Sequence, residues 1–196
     1  MVETQVKYVV VGHHSRIDHA LCLAMRLDAH LLIDYGNHGA NWNHRRALEW
    51  AAEQTCRVVV LEDDALPVHG FSEKVTDWLA RFPDDMLSFY LGTGRPPQYQ
   101  KEITEMLVDV DRVCGDHIAL SKLIHGVCYS PPQGRLARML SVWNKTLAAD
   151  YAVGEAFGGR VIYPCYSLVD HADLPTVERH PDNEPRAERR RAWRLA

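Results

Sequence analysis

The chain has no Gly-Lys-Ser/Thr phosphate loop and no paired His-Asp motif on a helical pattern. The first absence excludes P-loop nucleotide chemistry, and the second argues against a metal-dependent phosphohydrolase or nucleotidyltransferase. Cysteine is scarce: five residues, an odd count, with no Cys-x-x-Cys pair. That spacing suits neither zinc nor a disulfide framework. Cys56, Cys128 and Cys165 sit in or beside apolar patterns and are expected to be buried, reduced thiols. No apolar run approaches membrane-spanning length, and Met1 to Lys7 carry no signal-peptide pattern, so a cytoplasmic location without a membrane span is expected. Positive charge is not in excess either. The net charge is −4 and the pI about 6.2, which excludes a general polyanion binder. No internal repeat is present.

What remains is an ordinary globular composition. The 196 residues are 46% hydrophobic and 24% charged, enough for one domain with a sizeable core. Basic residues gather from Arg186 to Arg194. This run is expected to be a solvated, partly disordered end, although it could also touch phosphates or an acidic partner.

The most informative stretch is Arg57-Val-Val-Val-Leu-Glu-Asp-Asp-Ala65. Its continuous, mostly β-branched apolar run predicts a strand buried on both faces. It ends in Glu62, Asp63 and Asp64. Three carboxylates at the end of a buried strand repel one another and lose hydration. A divalent cation offsets both costs, and Mg²⁺ and Mn²⁺ accept such oxygen-rich sites together with substrate phosphates. A solvated strand-to-helix turn is the plainer reading.

Around this stretch strands and helices alternate. Val6–Val11 predicts a buried strand ending at Gly12, where the backbone can approach a ligand closely, and His13 follows. Asp18–Leu27 predicts a helix capped by Ser15 or Asp18, and His30–Ile33 a second strand closing with Asp34-Tyr35-Gly36. Asp34 could hydrogen-bond a nucleoside and Tyr35 could stack on it, or both could belong to a polar loop. Trp42–Gln54 predicts a helix with Ala47, Leu48, Ala51 and Ala52 inward. Its first turns hold Asn43, His44, Arg45 and Arg46. Cations there oppose the helix dipole, so they serve either an anionic ligand such as a diphosphate or a basic solvent face.

Ser72–Phe82 predicts a helix and Met86–Leu91 a strand. Gln98–Gly115 reads as a flap, with Met106–Val113 extended. Ile124–Ser130 reads as a strand, Pro131 to about Trp143 as a helix, Tyr151–Phe157 as a helix preceded by Asp150, and Val161–Tyr163 as the last strand. The pattern predicts an α/β domain over residues 1–175 with a mixed, mostly parallel sheet, then a polar, Arg-rich tail over 176–196. In such sheets ligands bind beyond the carboxyl ends of the strands.

Several segments, in order, resemble glycosyltransferase family 25, which includes lipooligosaccharide and collagen galactosyltransferases. Leu61-Glu-Asp-Asp-Ala65 followed by Phe71 is similar to its Leu-Glu-Asp-Asp segment. Tyr90-Leu91-Gly92 is similar to the strand after the acidic helix, and His125-Gly126-Val127-Cys128-Tyr129 to a His-Gly-x-x-Tyr segment. Asp150 and Pro164-Cys-Tyr-Ser-Leu-Val-Asp-His171 resemble a later Asp and a Pro-Ser-Leu-Val-x-His ending. The match runs from about Val58 to His171. The chain is short for that family, lacks its arginine-rich opening, and carries extra residues between Pro164 and Ser167.

The resemblance implies a GT-A fold, a Rossmann-like nucleotide-diphospho-sugar transferase. It also implies a UDP-sugar or other nucleotide-sugar donor, a Mn²⁺ or Mg²⁺ ion and inversion at the anomeric carbon. By position, Glu62, Asp63 and Asp64 form an Asp-x-Asp-like motif. Asp64 would bind the metal, Glu62 would reach the ribose or a water on the metal, and His171 would complete the metal site. Asp150 would be the general base, with Glu155 as fallback. Asp150 also reads as a plain helix cap, and His125 as a satisfied core histidine. The acceptor could be a glycan, a protein or a modified DNA base. A nucleotide-sugar-binding or carbohydrate-binding module without catalysis is the non-enzymatic alternative.

Overall fold

The computed structural model describes residues 5–177 and 188–196. A central sheet of seven strands has the order β2-β1-β3-β7-β5-β8-β6. The strands are β1 (Val6–His13), β2 (His30–Asp34), β3 (Arg57–Glu62), β5 (Met86–Ser88), β6 (His117–Leu120), β7 (Cys128–Ser130) and β8 (Val161–Pro164). β1, β2, β3, β5 and β8 run one way, and β6 and β7 run the other. A short antiparallel pair, β4 (Ala65–Pro67) with β9 (Val169–His171), stands beside the sheet.

Both faces of the sheet are covered, which is why the runs in β1 and β3 are apolar throughout. Val9, Val11, Val58 and Val60 face one core, against Ala47, Leu48 and Ala51 of α2 (Ala40–Ala52) and residues of α4 (Pro97–Arg112), α5 (Leu136–Ser141) and α6 (Ala149–Phe157). Tyr8, Val10, Val59 and Leu61 face the other, against α1 (Ile17–Leu27) and α3 (Phe71–Arg81). The α/β, mostly parallel architecture expected from the sequence is thus present.

Some local expectations change. The region read as a flap is α4, not an extended segment. Ile103 and Leu107 are buried in it, with Tyr99, Met106 and Val110 packed alongside, a spacing of three and four that marks one helical face. Pro97 opens this helix, a position at which the missing N–H costs nothing. β6 was not foreseen. The strand read over Ile124–Ser130 is confined to β7, and the helix expected from Pro131 to about Trp143 is a 3₁₀ turn, Gln133–Arg135, leading into the shorter α5. Ala52, at the last position of α2, is exposed, and the helix begins earlier than expected, at Ala40. Neither Ser15 nor Asp18 caps α1. A 3₁₀ turn over His14–Arg16 precedes that helix, and the His13 ring accepts from the Ser15 amide. Cys128 and Cys165 are buried free thiols, whereas Cys56 is only half-buried.

The chain end also departs from expectation. Arg186 lies outside the described residues, but residues 188–196 are no free tail. Trp193 N donates to Leu91 O at 2.9 Å, Thr93 N to Arg191 O at 2.9 Å and Ser167 N to Arg194 O at 2.8 Å. Ala192 is buried and Trp193 packs on the core. Arg194 forms two 2.7 Å bonds to Asp111. Backbone pairing plus an apolar anchor outweighs the polarity that made this segment look solvated.

Candidate active site

Register brings the chemistry to one edge. Val11 lies opposite Glu62, and His13 opposite Asp34, so the carboxyl ends of β1, β2 and β3 open together. They border a cavity of about 500 Å³, a size that suits a small-molecule ligand. Gly12, His13, Asp34, Asn43, Glu62, Asp63 and Asp64, all singled out in the sequence, line it. Tyr35, Arg46, Asp150 and His171 do not.

Asp63 and Asp64 are buried and share one cation. Arg16 Nη1 lies 3.0 Å from Asp63 Oδ1 and 2.7 Å from Asp64 Oδ2. The His13 amide donates to Asp63 Oδ2 at 2.8 Å. Asp64 Oδ1, by contrast, is buried with no hydrogen-bond partner among the described residues. Burial, together with the neighbouring carboxylates, pushes the Glu62 and Asp63 carboxyls above their usual range despite their partners. Arg16 is the one guanidinium paired with the triplet among the described residues, so the three carboxylates keep an excess of negative charge.

The β4–β9 pair places His171 opposite Ala65, and Ala172 N donates to Asp64 O at 2.9 Å. His171 Nε2 is thereby 3.5 Å from Asp64 Oδ2. Its Nδ1 accepts from Asp173 N at 2.9 Å, so the neutral ring carries its proton on Nε2. In this arrangement His171 stands near Asp64 without a close hydrogen bond between them. To ligate a metal through Nε2 it would have to give up the Asp173 bond and move the proton to Nδ1.

Glu62 has a different neighbour. His44 Nε2 lies 3.2 Å from Glu62 Oε1, and His44 Nδ1 lies 3.0 Å from the buried Tyr129 hydroxyl. Gly126 makes room for the pair. A Cβ there would stand 2.5 Å from Glu62 Oε1 and 3.3 Å from His44 Cε1. Gly126→Ala should therefore displace the flexible end of Glu62 from the cavity wall while leaving the fold intact. A Tm drop of a few degrees is expected. Circular dichroism melting of the variant checks this, and an unchanged Tm would show that Glu62 swings aside at no cost.

Other expected residues have structural work. Asp34 receives Gly36 N at 3.0 Å, the His38 ring at 3.0 Å and Gly39 N at 2.8 Å. Burial opposes its ionisation, but these bonds prevail and hold its carboxyl at about 2. It shapes the loop that opens α2. Asn43 donates to Gly12 O at 3.2 Å and Leu32 O at 3.0 Å, tying β1 to β2. Arg46 turns back onto Asn43 and covers the Trp42 ring, 4.5 Å from its centroid. Tyr35 is 71% exposed.

Asp150 lies in the first turn of α6, half-buried, with Oδ1 accepting the Tyr151 amide at 2.8 Å. Glu155 is exposed and accepts from Asn144 at 3.3 Å. His125 accepts the Gly92 amide at 3.1 Å. Burial, and then the competition of the nearby His171 imidazole for a proton, lowers its pKa to about 3, so it is a neutral structural histidine.

Arg16, His44 and Tyr129 were missed in the sequence. His44 carried a signal, a polar residue at the inward spacing of α2. Arg16 carried none, because its partners lie far away along the chain. Arg190 falls within the basic run that could touch phosphates, but nothing in that run set it apart from its neighbours.

Neither the protein-family models nor the curated protein sequences yield a match to this chain. Among solved structures, the crystal structure of A197 from STIV is similar, with a TM-score of 0.56 and 11% identity, covering 84% of this chain and 85% of that one. At that identity the likeness shows fold alone, a Rossmann-like α/β sheet. The resemblance to glycosyltransferase family 25 therefore stands on its motifs between Val58 and His171.

Proposed function

We propose that this chain is a metal-dependent glycosyltransferase of GT-A type, moving a sugar from a nucleotide-sugar donor, a UDP-sugar by its resemblance, to an acceptor hydroxyl with inversion. The observation that carries the reading is the acidic triplet at the carboxyl end of β3, bordering a ligand-sized cavity, with Asp64 Oδ1 buried and unpartnered among the described residues.

The donor set fits a divalent cation in its chemistry, since hard carboxylate oxygens and a shortage of positive charge are what Mn²⁺ or Mg²⁺ require. It is not pre-assembled: among the described residues, no three His, Cys, Asp or Glu side chains already form a metal-binding group. Arg16 stands between Asp63 and Asp64 instead. Asp64 would hold the ion through Oδ1, with Asp63 beside it. A bound cation would supply charge to the diphosphate as the nucleoside diphosphate departs.

The chain's own residues do the rest. Gly12 and the Asp34-shaped loop leave an open floor for the nucleoside, and Glu62, steadied by His44, accepts a hydrogen bond from the ribose. Asp150 takes the proton of the acceptor hydroxyl from outside the donor cavity.

Arg16 also favours a second reading. A guanidinium that already neutralises two carboxylates suits a nucleotide-sugar-binding module that needs no metal. A thermal-shift screen of nucleotide sugars with and without Mn²⁺ separates the two, because a ligand held only by the native state raises Tm by mass action. The glycosyltransferase reading expects a shift that requires Mn²⁺. A shift indifferent to Mn²⁺ favours the module, and no shift with any donor contradicts both.

A further inference from the structure

We propose that residues 188–196 form a strap that brings Arg190 to the diphosphate of the donor. The identity of the anion rests on the glycosyl-transfer reading above; the placement of the arginine does not. Within the strap, Ala192 and Trp193 are the anchor and Arg194 is held by Asp111, while Arg189 and Arg191 are exposed. Of the described residues in this segment, Arg190 is the one that lines the cavity, together with Arg16 and the acidic triplet.

The two arginines differ in which nitrogen they leave open: in Arg16 it is the buried Nε, which has no partner among the described residues, and in Arg190 it is a terminal Nη1. Arg16 has its Nη1 on Asp63 and Asp64 and its Nη2 on Pro175 O. Arg190 uses Nε on Asp173 at 3.1 Å and Nη2 on Leu174 O at 2.9 Å. Nothing among the described residues accepts from its Nη1. A guanidinium can hold a carboxylate and a phosphate oxygen at once, because its donors fan out in a plane. As the sugar departs, the diphosphate gains negative charge beyond what one divalent cation neutralises, and the carboxylates around the site repel the remainder. A second cation at the cavity wall supplies what the acids take away.

The anchoring explains why that cation can come from so late in the chain. The Gly92–Ala192 and Ser167–Leu195 bridges fix the strap on both sides of Trp193, and Ala192 N donates to Asp170 Oδ1 at 2.8 Å. Arg190 thus enters from a braced segment two residues away, which limits the freedom lost when it binds an anion.

The test is calorimetric titration of the full chain with inorganic pyrophosphate and with UDP, both in Mn²⁺. Arg190→Ala should weaken both by roughly ten- to hundredfold, the worth of one or two charge-assisted hydrogen bonds, and Arg190→Lys should recover part of the loss. Asp173→Asn is the control for a purely structural arginine. It removes the ion pair and keeps the guanidinium, so affinity should hold within a few-fold or rise. If Asp173→Asn loses as much as Arg190→Ala, Arg190 only fastens the strap and the proposal fails; if Arg190→Ala binds like the wild type, it fails as well. Arg190-dependent binding of pyrophosphate without any binding of UDP or another nucleoside diphosphate would keep the anion site and discard the nucleotide-sugar reading. Binding of neither probe by the wild type would overturn both.

Discussion

Exchanging Asp64 for asparagine is expected to abolish Mn²⁺-dependent binding of nucleoside diphosphate and to slow release of sugar from the donor by about 10²–10³-fold. The size follows from position. Asp64 is 3% exposed and bonded to Arg16 through Oδ2, and its Oδ1 has no other claimant among the described residues. Asparagine keeps an oxygen for Arg16 but replaces a charged oxygen by an amide group with no lone pair for a cation. Stability should move little. The change relieves repulsion with Glu62 and Asp63 and gives up part of the attraction to Arg16, and these effects oppose each other. Circular dichroism melting and nucleotide titration, each with and without Mn²⁺, measure both halves. A variant that melts like the wild type and still binds nucleotide in a Mn²⁺-dependent way would show that the cation site lies elsewhere.

The second large effect is expected at Asp150. Asp150→Asn should lower transfer by roughly 10²–10⁴-fold, the usual worth of a general base, while donor affinity stays within a few-fold. Donor hydrolysis, in which water takes the acceptor's place, gives the same comparison before the acceptor is identified. Asparagine can still accept the Tyr151 amide, so α6 loses only the benefit of a negative charge in its first turn, about 0.3–1 kcal/mol. Collapse of donor affinity alongside turnover would make Asp150 a sugar-binding residue. Full turnover would reduce it to a helix residue and turn attention to Glu155.

The acidic triplet could be read from the sequence because its signal is local. A β-branched run that ends abruptly in carboxylates needs no knowledge of distant residues, and β1 and β3 are buried on both faces as that run implied. Helix α4 was obscured for the opposite reason. Gly92, Gly94, Pro96 and Pro97 crowd its start, and they drew the Tyr- and Gln-rich turns behind them into a loop reading, although Ile103, Met106, Leu107 and Val110 hold helical spacing.

Within the site, what was missed is what long-range pairing decides. Arg16 meets residues 47 and 48 positions away, and His44 meets Tyr129 across 85. Nothing in the spacing of a single chain announces such partners. Asp34 was noticed for the right reason, as a polar residue closing a strand, but the two amides and the ring that take its oxygens belong to the following loop and show that it shapes the cavity edge. The Arg-rich end misled because charge run and composition say nothing of Ala192 and Trp193, which dock it.

The central claim is tested most directly by the products formed when the chain is incubated with a panel of nucleotide sugars and Mn²⁺ in the absence of acceptor. A glycosyltransferase lets water attack the anomeric carbon at a low rate. Slow appearance of free sugar and nucleoside diphosphate from one donor, stopped by a chelator and by Asp64→Asn, is the expected result. Nucleoside monophosphate with sugar phosphate would instead mark cleavage within the diphosphate, the work of a phosphohydrolase. Binding of a donor with no products at all would leave a binding module, and either result would contradict glycosyl transfer.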